Sequence, residues 1–169
     1  MNIIIRTDAS NMIGTGHVMR CLTLAEQLMK ANAQTKITVI SRDLPGNLSE
    51  LIKSKGFDVK LLEFSKEDKK KYAAMPPNDD YAKWLGVKSE QDAQEVLEVI
   101  TSLNLNAKID LLIIDHYALD ISWETSMRNF VQEIFVFDDT CKSHNADFLL
   151  NQNIFADPAK YKNLVPKSC

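Results

Sequence analysis

Ile3-Ile4-Ile5, followed after a polar stretch by Ile13-Gly14-Thr15-Gly16-His17-Val18-Met19-Arg20, is the stretch whose reading decides the fold. The isoleucines read as the heart of a buried strand over residues 2–6. A glycine-punctuated loop, 7–16, then carries the chain into an amphipathic helix. From His17 to about Ala33 the apolar positions Val18, Leu22, Ala25 and Met29 recur at helical spacing, with Leu24 and Leu28 widening the stripe. The turn sets His17 and Arg20 in the first part of that helix, beside free N–H groups at the positive end of its dipole. Such a place suits an anion or a polar substrate.

The alternation continues along the chain. Lys36 to Ser41 reads as a second strand, Leu48, Leu51 and Ile52 as a short helix closed near Gly56, and Phe57 to Leu62 as a third strand. Residues 63–86 break the pattern. Lys66 to Lys71 is a mixed charge run, read as a solvated face. Met75-Pro76-Pro77-Asn78-Asp79-Asp80 is irregular. Tyr81, Trp84 and Leu85 close this insert, and packing of Trp84 onto the core is expected over contact with a substrate or a second domain. Ser89 is placed as the cap of a long helix over roughly 90–106. Asp110 to Ile114 is a fourth strand without alternation, hence buried on both faces. A helical segment at 119–131, a fifth strand at Glu133 to Phe137 and a short sixth at Asp147 to Leu150 follow. The pattern predicts an α/β, Rossmann-like parallel sheet with helices on both faces.

Composition narrows the function. The chain has 169 residues, 45% apolar and 25% charged, as in an ordinary soluble protein. A net charge of -3 argues against a nucleic-acid or anionic-membrane partner. No apolar run approaches the ~20 residues that cross a bilayer, and the N-terminus lacks the features of a signal peptide. The three cysteines, Cys21, Cys141 and Cys169, form no C-x-x-C pair, and free thiols in a reducing cytoplasm are the simplest reading. Cys21 is expected to be a core thiol. Neither a disulfide framework nor a zinc knuckle is implied.

In a doubly wound sheet, ligands bind outside the carboxyl ends of the strands. The polar residues gather there. Arg6, Asp8, Ser10, Gly14, Gly16 and His17 follow the first strand; Asp115, His116 and Tyr117 the fourth; Asp138 and Asp139 the fifth; Asn151 and Asn153 the sixth. The glycine turn fails three familiar tests. Position 19 is methionine, so the dinucleotide fingerprint G-x-G-x-x-G is incomplete. The P-loop's Gly-Lys pair is absent, as is the hydrolase elbow G-x-S-x-G. What remains is G-x-G-H-x-x-R, a turn presenting histidine.

A neutral imidazole can take a proton from water as general base. The helix N-terminus disfavours the charged ring, and Asp8 and Asp115 are the candidates for a carboxylate that orients it. On spacing alone, catalysis by His17 and simple capping of the helix stand level. Asp115-His116 and Asp138-Asp139 carry metal-ligand chemistry, but helix capping at strand ends is the preferred reading. Arg20 either clamps an anion or pairs with an acidic neighbour. His144 is read as a surface residue of a polar turn.

Several segments together resemble one family. They are residues 5–10 (IRTDAS), 13–22 (IGTGHVMRCL), Trp84-Leu85-Gly86-Val87 before an acidic helix, Ile114-Asp115-His116-Tyr117, Phe137-Asp138-Asp139 and Leu149-Leu150-Asn151-Gln152-Asn153. In this order they resemble the PseG family of UDP-sugar hydrolases, and the similar spore-coat protein SpsG. The resemblance implies a two-lobed glycosyltransferase-B architecture, similar to MurG. It also implies release of UDP and 2,4-diacetamido-2,4,6-trideoxy-L-altrose from the UDP-sugar, in bacterial pseudaminic acid biosynthesis for flagella and surface glycans. In that family the histidine matching His17 is the catalytic residue, thought to activate the attacking water, and the resemblance implies that no metal and no cofactor are expected.

On the same resemblance, Arg6, Asp8, Ser10, Gly14, Gly16, Arg20, Asp115, His116, Tyr117, Asp138, Asp139, Asn151 and Asn153 are the expected substrate-side residues. The family's second lobe would begin near Cys169, so residues 1–169 are expected to be the N-terminal lobe alone. It would be nearly inactive by itself and would dock against a C-terminal, nucleotide-holding lobe. Two alternatives stay open: a glycosyltransferase lobe, with an acceptor hydroxyl in place of water, and a non-catalytic sugar-binding domain.

Overall fold

The computed structural model describes residues 1–76, 80–103 and 108–169. Its strands are β1 (Asn2–Thr7), β2 (Lys36–Arg42), β3 (Asp58–Leu62), β4 (Ile109–Asp115), β5 (Val131–Phe137) and β6 (Phe148–Leu150). Its helices are α1 (Gly16–Ala31), α2 (Ser49–Ser54), α3 (Lys66–Ala73), α4 (Ser89–Ser102) and α5 (Ile121–Met127), with short 3-10 turns at Tyr81–Leu85 and Pro158–Tyr161. The strands form one sheet in the order β3-β2-β1-β4-β5-β6, and every pairing is parallel.

The unbroken apolar runs of β1 and β4 are explained by burial on both faces. Ile3 and Ile5 pack with Val39, Ile113 and Phe137 under Val18, Leu22 and Ala25 of α1. Ile4, one residue out of phase, packs with Ile40, Leu112 and Ile134 under Val96 and Ile100 of α4 and Trp123 of α5. Side chains alternate across a strand, so successive isoleucines serve opposite layers. Each fully buried isoleucine contributes roughly 1.5–3 kcal/mol relative to exposure. Helices on both faces of a Rossmann-like parallel sheet are therefore borne out.

Strand order also locates the crevice. From β1 the chain winds outward to β2 and β3, then returns to β4 on the other side of β1. The helix after β1 covers one face and the helix after β4 the other. Their departure in opposite directions opens a gap above the carboxyl ends of β1 and β4. Thr7 and Asp115 are register partners at that point.

Four elements differ from expectation. The charge run, read only as a solvated face, is the exposed side of helix α3: Ser65 caps it, accepting from Asp68 N at 3.1 Å, and Tyr72 alone is buried. One apolar anchor in eight residues leaves no periodicity to read. Ser89 is the first residue of α4, and Lys88 holds the cap position without a side-chain bond. Helix α5 is shorter than 119–131 because Asp120 caps it, accepting from Ser122 N and Trp123 N. β5 then begins at Val131. Pro77, Asn78 and Asp79 of the irregular stretch, and positions 104–106 of the expected long helix, lie outside the described residues. Among the described residues no helix is long and apolar enough to cross a membrane.

Candidate functional site

The loop between β1 and α1 is built around Ser10. Its hydroxyl accepts from Met12 N at 3.1 Å and Ile13 N at 3.0 Å and meets the Tyr72 hydroxyl at 3.1 Å. Gly14 N donates to Ser10 O at 2.8 Å, closing the turn. Gly14 sits at φ 79, a conformation that side chains resist. Gly16 opens α1 with ordinary φ, and a methyl there would meet nothing within 4 Å. The start of α1 is thus open, and Thr15 gives it no side-chain cap. The first N–H groups of a helix have no carbonyl of their own helix to bond.

His17 follows directly and is 7% exposed. Its Nδ1 lies 2.5 Å from Asp115 Oδ1, at the end of β4. Arg20, one turn on, donates Nη2 to the same oxygen at 2.5 Å and Nε to Oδ2. Cys21 Sγ adds a 3.7 Å contact to Oδ2. Arg20 Nη2 also lies 3.2 Å from His17 Nδ1, but both cannot be donors in one bond. The carboxylate has no proton to give, so it accepts a hydrogen bond from Nδ1–H, and the shorter contact governs. Nε2 is then the ring's proton acceptor. Cys21 is buried and its thiol is pushed well up by burial and by Asp115, which bears out the core-thiol reading.

An aromatic wall stands over the histidine. Tyr117 meets the His17 ring edge-on at 4.6 Å, and Trp84 lies 6.2 Å away. Trp84 stacks on Tyr117 at 5.8 Å, while Tyr81 touches both, at 4.8 Å and 4.9 Å. Trp84 is half-buried in this wall, not in the core as expected; Leu85 takes the core position. Spacing decides this, because residues three apart eclipse in a 3-10 turn and bring Tyr81 and Trp84 to one side. Tyr81 was missed by sequence reasoning, and that spacing was the available signal. Burial, and then the Asp139 carboxylate beside it, push the Tyr117 hydroxyl up to about 12.

Beneath this lies a charged floor. Arg6 forks onto Asp8 at 2.6 and 2.8 Å and reaches Asp92 at 2.6 Å. Asp92 also accepts from Arg42 at 2.8 Å and from Trp123 Nε1 at 3.1 Å. Burial opposes its ionisation, but Arg6 and Arg42 hold it down to about 2. Asp8 accepts from Arg42 N at 2.6 Å and Ser41 Oγ at 3.2 Å. His116 accepts from Ala118 N on Nδ1 at 3.1 Å and turns Nε2 toward Asp8 at 3.4 Å. Burial first, then Arg6, lower it to about 4, so it is neutral.

These positions correct the expected substrate roles. Arg6 and Asp8 have no exposed surface and His116 has 4%. They tie the ends of β1, β2 and β4 to α4 and do not face the crevice. Ser10, 4% exposed, has its hydroxyl committed to the turn. Asp92 on α4 and Arg42, which complete the floor, carried no motif signal.

The fifth-strand side is similarly layered. Asp139 stands beside Tyr117. Asp138 is buried; it accepts from Thr140 Oγ1 at 2.5 Å and from the Tyr161 hydroxyl at 3.1 Å, and faces His144 Nε2 at 3.5 Å. Asn151 donates to the Tyr161 hydroxyl at 3.1 Å and accepts from Asn153 N at 3.0 Å, shaping the turn after β6, where Asn153 is exposed. His144 is not a surface residue: it is 3% exposed, with Nδ1 2.6 Å from Glu124. Burial opposes its charge, but Asp138 and Glu124 raise it to about 9.

The crevice therefore brings together His17, Arg20, Asp115, Tyr117 and Asp139, beside Gly14 and Gly16. It leaves Asp138, Asn151 and Asn153 to the turns around it. Among the described residues no three His, Cys, Asp or Glu side chains converge so as to hold a metal ion. A separate groove of about 900 Å³ runs beside β6, lined by Phe148, Leu150, Tyr161, Val165 and Pro166. Of the candidate residues, Asn151 alone lines it.

No protein-family model matches the chain. It is 28% identical over 170 residues to the UDP-2,4-diacetamido-2,4,6-trideoxy-beta-L-altropyranose hydrolase of Campylobacter jejuni. That match covers 100% of this chain and 48% of the hydrolase, so the chain spans about half the length of that relative. A solved UGT transferase from Siraitia grosvenorii, in complex with UDP, superposes with a TM-score of 0.45 at 15% identity, over 81% of this chain and 24% of that one. The resemblance drawn from the motifs is thus borne out: along its whole length the chain is similar to a UDP-sugar hydrolase.

Proposed function

We propose that the chain is the water-activating lobe of a nucleotide-sugar hydrolase acting on UDP-2,4-diacetamido-2,4,6-trideoxy-β-L-altropyranose. The observation that carries this reading is the 2.5 Å contact between His17 Nδ1 and Asp115 at the switch point of the sheet. Asp115 accepts a hydrogen bond from Nδ1–H and so leaves Nε2 as the base. Water gives a proton to Nε2 while its oxygen bonds to the anomeric carbon. The bond from that carbon to the UDP oxygen breaks, and UDP leaves with the electron pair. Tyr81, Trp84 and Tyr117 form the wall against which the sugar's methyl and acetamido groups pack, and Asp139 lies at its rim. The uridine diphosphate is held mainly by a second lobe outside these residues. The isolated 169-residue chain is then nearly inactive, because one wall cannot hold both reactants in place. A cytoplasmic setting belongs to the same reading.

The test is hydrolysis in ¹⁸O-water by the protein expressed from its complete reading frame. Label in the free sugar and none in UDP is expected, with loss of turnover in His17→Gln. A glycoside product in place of free sugar would make the lobe part of a transferase. Unchanged turnover in His17→Gln would overturn the role given to the histidine.

A further inference from the structure

Of the two roles left open for Arg20, pairing with an acidic neighbour is the one its contacts show. Its Nη2 and Nε bond both oxygens of Asp115, and its guanidinium carbon lies 5.2 Å over the Phe137 ring. Its side chain is 16% exposed. A fork fixed on one carboxylate and stacked on an aromatic ring is a rigid fitting, and its specificity is geometric.

Asp115 has no exposed surface and two partners competing for its charge. A buried carboxylate facing only an imidazole would draw a proton onto that ring. The groups around the pair are few. Helix α1 supplies Arg20 and Cys21, the segment after β4 supplies His116 and Tyr117, the 3-10 turn supplies Tyr81 and Trp84, and Asp8 and Asp139 stand behind His116 and Tyr117. His116 is neutral, so Arg20 is the cation of this set that touches Asp115.

We infer that Arg20 is a positioning residue. By bonding both oxygens of Asp115, it fixes the carboxylate so that the His17 ring keeps Nδ1–H on Oδ1 and leaves Nε2 ready for a proton. This rests on the reading of His17 as a base, but it is tested without turnover. Substrate contact is not part of the role.

The experiment is a pH titration of the histidine-¹⁵N-labelled chain by long-range ¹H–¹⁵N NMR. The chain has three histidines, and His17→Gln identifies the His17 signals. The wild-type ring is expected in the Nδ1–H form. In Arg20→Gln the carboxylate is no longer fixed and the two ring tautomers mix. Arg20→Lys returns the charge without the fork, so the tautomers stay mixed. An unmixed Nδ1–H ring in a folded Arg20→Gln chain overturns the inference, as does an Nε2–H ring in the wild type. If Arg20→Gln does not fold, Arg20→Lys decides, and an unmixed Nδ1–H ring there overturns it. Should these results hold while the labelled-water test fails, the hydrolase reading falls and the role of Arg20 stands.

Discussion

Asp115 Oδ1 lies 2.5 Å from His17 Nδ1 across 98 residues of chain. The contact joins the end of β4 to the first turn of α1. Parallel pairing of β1 and β4, with Thr7 beside Asp115, makes it possible. Everything proposed about catalysis depends on this pair.

Replacing Asp115 by asparagine keeps the shape and removes the charge. The amide no longer dictates which ring nitrogen carries the proton, so Nε2 loses its assignment as acceptor. Loss of a positioned general base costs about 10²–10⁴ in rate. Asp115→Asn is expected within that range in kcat, with a smaller change in KM, in the protein from the complete reading frame.

Removal of the aromatic wall is expected to separate binding from stability. Trp84 is only half-buried and stacks on Tyr117 at 5.8 Å. Trp84→Ala removes part of the surface on which the proposed sugar packs, so a several-fold weakening of sugar binding by calorimetry is expected, while the lost stack on Tyr117 costs only about 0.5–1.5 kcal/mol of stability. A drop in thermal midpoint as large as that of a core mutant such as Ile4→Ala would return Trp84 to the core.

Stability should fall on the alkaline side through His144. Its pKa is raised to about 9 in the fold, from an ordinary 6.5. The folded chain therefore holds a proton that the unfolded chain releases earlier. The stabilisation is complete below about 6.5 and is lost as pH rises through about 9. Urea midpoints from pH 6 to 10 should decline in the wild type, and His144→Gln should flatten that decline.

The floor titrates in the opposite direction. Asp92 is held down to about 2, from 3.8. Its contribution is present above 3.8 and disappears as pH falls through about 2. Asp92→Asn leaves Arg6 and Arg42 without the charge they share. Breaking a buried pair this way costs about 3–5 kcal/mol, which chemical denaturation at neutral pH would read directly.

The residues differ in how plainly the sequence announces them. The strands are legible because Ile3 to Ile5 and Leu111 to Ile114 are unbroken apolar runs that only a two-sided sheet accommodates. Helix α3 is not, because Tyr72 is its one buried residue. Arg6 and His17 read alike, as polar groups near the end of β1, yet one lies under the crevice and the other lines it. The difference is made by Asp92, 86 residues from Arg6 and presented by α4. His144 sits in a stretch with no pattern, and Glu124 and Asp138 bury it from two other elements.

Alternating apolar segments and a glycine turn by themselves determined a parallel, doubly wound sheet with a histidine at the start of its first helix. Those are local properties: period, β-branching, and the backbone freedom of Gly14. Tertiary structure alone decided which charged residues meet. It put Asp115 on His17, Arg20 on Asp115, and Arg6 and Asp8 out of reach below. A guanidinium is satisfied by whichever carboxylate packing brings within 3 Å or so, and packing is set by strand order and by helices far away in the chain.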